Sequence, residues 1–309
     1  MSESECTHNC STCASKKNGS CGQDATTKAI SEQLAKIKHK IVVLSGKGGV
    51  GKSTCAVNLA ISLAMEGHKV GLLDVDLHGP SVPTMLKLQG VVPETVGDKI
   101  LPIHAAGISV ISVAFFLHNS DDPVIWRGPM KQGAIQQFIA DVEWGELDYL
   151  VIDCPPGTGD EPLGVCQMIP DAEAVIVTTP QEVAASDVRR SVNFCRQLNL
   201  SILGVIENMS GFACPHCGEI TYIFKQGGGE KLAEQMNLNF LGKIPIDPGI
   251  GDCSDAGTPF VHFRGKTATA IAFQDIVAKI TGEYSSFSAA RQCLQQRLRL
   301  LRRRRCVVS

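Results

Sequence analysis

Residues 46–53 read Gly-Lys-Gly-Gly-Val-Gly-Lys-Ser, which satisfies the spacing G-x-x-x-x-G-K-[ST]. The β-branched run Ile41-Val-Val-Leu44 precedes it, and the helix-compatible stretch Lys52–Glu66 follows. A strand that turns through glycines straight into a helix start is a phosphate cradle. Glycines let the backbone wrap closely enough for its N–H groups to face phosphate oxygens, and the helix terminus adds partial positive charge. Lys52 is therefore expected to reach the β- and γ-phosphates of ATP, and the Ser53 hydroxyl to hold Mg²⁺. Gly46, Lys47, Gly48, Gly49, Val50, Gly51 and Thr54 complete the expected nucleotide loop.

Such a loop needs a strand to end it against, and the rest of the chain supplies a sheet. Apolar runs recur at Ile41–Leu44, Val70–Leu73, Ile108–Ala114, Tyr149–Ile152, Ala174–Val177 and Ile202–Ile206. Helical patterns lie between them at Lys52–Glu66, Met130–Asp141, Ala184–Leu198 and Lys266–Ile280. Strands alternating with helices predict an α/β fold with a mostly parallel sheet flanked by helices. The runs are almost continuously apolar, as strands covered on both faces are. Gly67 follows the first helix as a natural C′ residue.

Ligands of parallel sheets gather at the C-terminal ends of strands. Leu150-Val-Ile-Asp153 is a strand ending in an acid, the arrangement that sets a carboxylate beside the Mg²⁺ of a phosphate-loop enzyme. Leu72-Leu-Asp-Val-Asp76 ends in two. Asp74, Asp76 and Asp153 are thus expected to converge on one site, with Asp76 orienting the attacking water. Lys47 is a second lysine inside the loop; it can reach a partner subunit's phosphates as an arginine finger does. With Lys52 and Asp76 it forms the expected catalytic set.

The chain has 309 residues with formal net charge −2. That balance hides an asymmetry. From Ser285 onward there are seven arginines and no acid, so the preceding residues carry 22 basic against 31 acidic side chains. Nothing in this acidic body suggests nucleic-acid binding. No apolar run is long enough to span a bilayer and the first residues lack a secretory pattern, so a cytoplasmic protein without membrane association is expected. Three segments are expected: a Cys-rich metal-binding tail over 1–27, a nucleotide-hydrolysing domain over 28–284, and a basic tail over 285–309. The last four residues, Cys306-Val-Val-Ser309, fit a prenylation pattern only at the level of a four-residue match.

Thirteen cysteines are many for such a chain. Cys55, Cys166 and Cys195 fall inside helical patterns and, with the isolated Cys154 and Cys253, read as buried apolar residues. The clusters differ. Cys6, Cys10, Cys13 and Cys21 are enough for one metal or cubane site within a chain. Cys214-Pro-His-Cys217-Gly is a tight knuckle offering two thiolates. A Cys₄ site built on it needs the same pair from a second chain across a two-fold axis. Half of a zinc ribbon is the competing reading.

Lys47-Gly-Gly-Val-Gly-Lys-Ser-Thr54 resembles the deviant Walker A loop of MinD, ParA, nitrogenase iron protein and the Mrp-type ATPases. Asp74-Val-Asp-Leu-His-Gly-Pro-Ser81, Trp126-Arg-Gly-Pro-Met130, Asp153-Cys-Pro-Pro-Gly-Thr-Gly-Asp-Glu161, Glu207-Asn-Met-Ser-Gly-Phe212 and Cys214-Pro-His-Cys-Gly218 narrow the resemblance. Together they look like the Mrp/ApbC/nucleotide-binding-protein family of iron–sulfur cluster carriers, over about residues 30–284. The resemblance implies an ATP-hydrolysing homodimer or heterodimer. It would hold a labile [4Fe–4S] cluster and pass it to apo iron–sulfur proteins. It also puts Asn208 at the nucleotide base. Two rival readings are a MinD- or ParA-like positioning ATPase and an ATP-dependent iron–sulfur reductase.

Overall fold

A computed structural model describes residues 22–76, 79–116, 128–213, 219–265 and 267–283. Helix α1 (Gly22–Leu34) leads into β1 (Ile37–Leu44), the phosphate loop and α2 (Lys52–Met65). Then come β2 (Val70–Asp74), the short α3 (Val82–Met85), a small hairpin of β3 (Thr95–Val96) and β4 (Lys99–Ile100), β5 (Ile103–Ala105) and β6 (Ile108–Ser112). The chain continues through α4 (Gly128–Ala140), β7 (Leu147–Asp153), α5 (Asp160–Met168), β8 (Glu173–Thr178), α6 (Glu182–Gln197) and β9 (Ser201–Glu207). A second hairpin, β10 (Phe212–Ala213) and β11 (Ile220–Thr221), precedes α7 (Gly228–Gln235), β12 (Phe240–Lys243), α8 (Pro248–Ala256), α9 (Phe260–Phe263) and α10 (Ala268–Ile280).

Eight strands form one sheet in the order β12-β9-β8-β1-β7-β2-β6-β5. Every neighbouring pair is parallel except β5 with β6. The expected mostly parallel sheet flanked by helices is what forms. Alternation along β1 explains its continuous apolarity: Ile41 and Val43 enter one core layer, Val42 and Leu44 the other. Leu72 and Leu73 divide in the same way. Helix α2 is buried along Cys55–Leu63, because it lies on the sheet beneath α9 and α10. Its one amide, Asn58, spends its Nδ2 on the Thr54 carbonyl at 2.9 Å and accepts from the Val261 N–H at 3.3 Å.

Cys55, Cys154, Cys166, Cys195 and Cys253 are buried free thiols, as their positions suggested. Expected element ends shift for local reasons. The strand expected over Ile108–Ala114 stops at Ser112, whose hydroxyl accepts from the Ala114 N–H at 3.2 Å and starts a 3₁₀ turn, Val113–Phe116. Helix α10 starts at Ala268, where the Thr267 hydroxyl caps it by accepting from the Ala270 N–H. Helix α1 crosses residue 27, where the tail boundary was drawn, and buries Ile30 and Leu34.

The ends of α2 mark the two poles of the molecule. It starts at the phosphate loop and finishes at Glu66, near the N-terminal ends of the strands. Helix α10 finishes at that far pole too. Lys279 Nζ donates to the Phe240 carbonyl at 3.0 Å, and Glu66, already pushed up by burial, is raised further by the charge of Glu283. Among the described residues no helix is long and apolar enough to cross a membrane.

Candidate functional site

Register brings the strand-end acids together. Val43 of β1 and Asp74 of β2 both pair with Asp153 of β7, so the phosphate loop leaves β1 beside two carboxylate-bearing strand ends. The ladder runs on past the strands: the Val75 N–H donates to the Asp153 carbonyl at 3.1 Å and the Gly157 N–H to the Ser45 carbonyl at 2.8 Å. The loop is therefore held from beneath by backbone bonds.

Within the loop, Gly49 and Gly51 take φ of 76° and 77°, the left-handed region that favours glycine. Gly51 is also the N-cap of α2. A Cβ at Gly51 would collide with the Asn208 amide, and one at Gly46 would meet the Asp187 backbone of α6 at 2.5 Å. The loop winds around a cleft of about 220 Å³ lined by Lys47, Lys52, Ser53, Asp76, Met85 and Pro156, among others.

Lys52 reaches into this cleft from the first turn of α2. Its Nζ donates to Asp153 Oδ1 at 2.5 Å and lies 3.9 Å from Asp76 Oδ2 and 3.3 Å from Ser53 Oγ. Burial works against the ammonium, but the charge and hydrogen bond of Asp153, with Asp76 behind, hold its pKa above the ordinary value. Asp153 is itself raised by burial, partly offset by Lys52 and by the Ser53 hydroxyl. Its second oxygen, Oδ2, is buried without a hydrogen-bond partner.

The three acids are brought together, yet they do not do the same thing. Asp74 is fully buried. It accepts from the Asp76 N–H at 3.1 Å and from the Ser112 hydroxyl at 2.9 Å. It fixes the backbone of Asp76 and does not line the cleft. Burial, then the neighbouring Asp153 charge, push its pKa up to about 8. Asp76 is the acid that lines the cleft. Lys47 is half-buried at the cleft wall, with no carboxylate partner among the described residues.

Asn208 follows the last residue of β9. Its Nδ2 donates to the Val50 carbonyl at 2.8 Å, so its amide braces the phosphate loop itself. Sequence reasoning missed three supporting residues: Ser112, which orders Asp74, and Glu207 and Ser210, whose side chains bond at 2.5 Å. For Ser112 and Glu207 the available signal was polarity at the end of an apolar strand, the same signal that marked Asp153. Cys6, Cys10, Cys13, Cys21, Cys214 and Cys217 lie outside the described residues.

The family description "ParA: NUBPL iron-transfer P-loop NTPase" matches residues 36–281. An iron-sulfur cluster carrier protein of Methanocaldococcus jannaschii is 50% identical over 284 residues, covering 89% of this chain and 96% of that protein. A cytosolic Fe-S cluster assembly factor NUBP2 homolog of Dictyostelium discoideum is 48% identical, covering 83% and 99%. Among solved structures, a nucleotide-binding protein of Archaeoglobus fulgidus in complex with ADP matches with TM-score 0.68 and 42% identity over 75% of this chain and 91% of that one. MinD of Pyrococcus horikoshii complexed with Mg-ADP matches with TM-score 0.58 over 79% and 96%, and at 23% identity it shows the shared fold alone. The expected resemblance thus holds across the length of the sheet, and the chain belongs to the NUBPL iron-transfer family of P-loop NTPases.

Proposed function

We propose that this chain is an ATP-driven carrier that assembles a [4Fe–4S] cluster and delivers it to apo iron–sulfur proteins in the cytosol. Relatives about half identical over most of the chain are named iron–sulfur cluster carriers and cytosolic assembly factors. The observation that carries the hydrolytic half is the constellation of Lys52, Asp153 and Asp76 around the glycine loop.

In this reading Lys52 leaves Asp153 for the β- and γ-phosphates. Asp76 orients a water molecule toward the γ-phosphorus. The water oxygen bonds to phosphorus, the bond to the bridging oxygen breaks, and ADP and phosphate leave. The oxygens of Ser53 and Asp153 suit Mg²⁺, and the unpartnered Asp153 Oδ2 gives that ion something to bind or orient. When bound, Mg²⁺ would neutralise phosphate charge. Asp74 serves by holding Asp76 in place. Asn208 positions the loop, with nucleotide contact as its further role.

The cargo half rests on Cys214 and Cys217. A cubane takes four thiolates and each chain offers two here, so two copies share one cluster across a two-fold axis. Lys47 of each copy then reaches the partner's nucleotide. Cys6, Cys10, Cys13 and Cys21 hold a second cluster within one chain. Anaerobic reconstitution with iron and sulfide tests the cargo reading. Replacing Cys214 and Cys217 with alanine should remove half a cubane of iron per chain and abolish transfer to an apoprotein, with nucleotide binding intact. Transfer at the normal rate by that variant, also lacking residues 1–27, would overturn it.

A further inference from the structure

The six residues from Glu207, the last of β9, to Phe212, the first of β10, tie the phosphate loop to the β10–β11 hairpin. On the loop side stands the Asn208 amide, bonded to the Val50 carbonyl and filling the space where Gly51 has no side chain. On the other side the fully buried Glu207 carboxylate accepts from the Ser210 hydroxyl at 2.5 Å and from the Gly229 N–H at 2.6 Å. Between them Met209 sits at φ 57°. That conformation is strained for a non-glycine residue and persists only where its surroundings impose it.

Beyond the clamp, the chain is laced to the segment that follows β12. The Ser210 N–H donates to the Ile244 carbonyl at 2.9 Å and the Ile246 N–H to the Gly211 carbonyl at 2.7 Å. Gly211, at φ 85°, lets Ile220 of the returning strand and Tyr222 just past it close to 3.1 and 3.3 Å of where a Cβ would stand. Strand β10 begins at the next residue and pairs with β11. Cys214 and Cys217 lie in the sequence joining those two strands.

We propose that Glu207 and Ser210 are positioning residues that carry the state of the phosphate loop to the cysteine hairpin. A displacement of the Val50 carbonyl pulls on Asn208. Met209 offers little slack, because its backbone is already held in a strained well. Ser210 is locked to Glu207, so the movement passes to Gly211 and Phe212 and not into side-chain rotation. The proposal rests on the carrier reading, and it names how nucleotide would set the grip on the cargo.

Hydrogen exchange on the full chain tests it. Amides of the peptide covering Gly211–Tyr222 are compared with ADP and with a non-hydrolysable ATP analogue. In the wild-type protein their exchange should differ at least about fivefold between the two. Ser210→Ala should shrink that ratio below about twofold, while the peptide covering residues 46–56 keeps its nucleotide protection. Ser210→Thr restores the hydroxyl and should restore the ratio. If Ser210→Ala fails to fold, Met209→Gly, which relieves the strain and inserts slack, should shrink the ratio in its place. A wild-type hairpin indifferent to nucleotide, or an undiminished ratio in the folded variant, overturns the proposal. Iron release to a chelator from reconstituted protein separates the two ideas. A responsive hairpin that never holds iron supports the link and sinks the cargo reading. Iron held at Cys214 and Cys217 by an unresponsive hairpin does the reverse.

Discussion

Lys52 owes its position to a carboxylate 101 residues away in sequence, and that pairing defines the chemistry of the site. Replacing Lys52 with alanine should end hydrolysis. Asp76→Ala should keep nucleotide binding but slow turnover roughly 10²–10⁴-fold, as expected when a group that orients a nucleophile is removed. Unchanged turnover would overturn the water-orienting role of Asp76. Asp74 makes a separate prediction through its proton. Its ordinary value is 3.8 and burial lifts it to about 8, so between those values the folded chain holds a proton that the unfolded chain has lost. That contribution to stability is complete below 3.8 and is lost as pH rises through about 8. Asp74→Asn cannot ionise. Its melting temperature relative to wild type, measured without nucleotide, should therefore climb across that window. A difference independent of pH would show that Asp74 is ionised throughout.

At the scale of elements, the phosphate loop works because its glycines meet other parts of the fold. Gly51→Ala should lower nucleotide affinity at least about tenfold, since it adds left-handed strain and displaces the Asn208 amide. Gly97→Ala is the control. Gly97 also has positive φ, 61°, but nothing lies within 4 Å of its side-chain position, so only stability should suffer. Titration of both variants with nucleotide distinguishes the two effects. The long strands were legible because burial on both faces writes them as Val- and Ile-rich runs, and α2 because Gly51 caps its start and Gly67 follows its C-cap Glu66. Helix α1 was not, since Gly-Gln-Asp-Ala-Thr-Thr-Lys carries almost no apolar stripe. Strand β12 was not, since Phe-Leu-Gly-Lys is four residues long and interrupted by glycine. For the site, each acid could be read from its place at a strand end. What periodicity does not encode is strand order. With β7 between β1 and β2, Asp153 meets Lys52, and Asp74 turns away to Ser112.

For the whole molecule, the cleft and the end of β9 share one pole, and a second copy meeting that pole would bring Lys47 to the junction. Mixing Lys47→Ala with Asp76→Ala protein should then recover part of the hydrolysis that either lacks alone, because a mixed pair retains one complete site. No recovery at any ratio would place Lys47 in its own subunit's chemistry. The opposite pole has its own significance. The described chain finishes there at Glu283, beside the end of α2 and about 20 Å along that helix from the phosphate loop. Whatever grasped the molecule by this foot would leave the cleft, at the other end of α2, open to a partner arriving from solution.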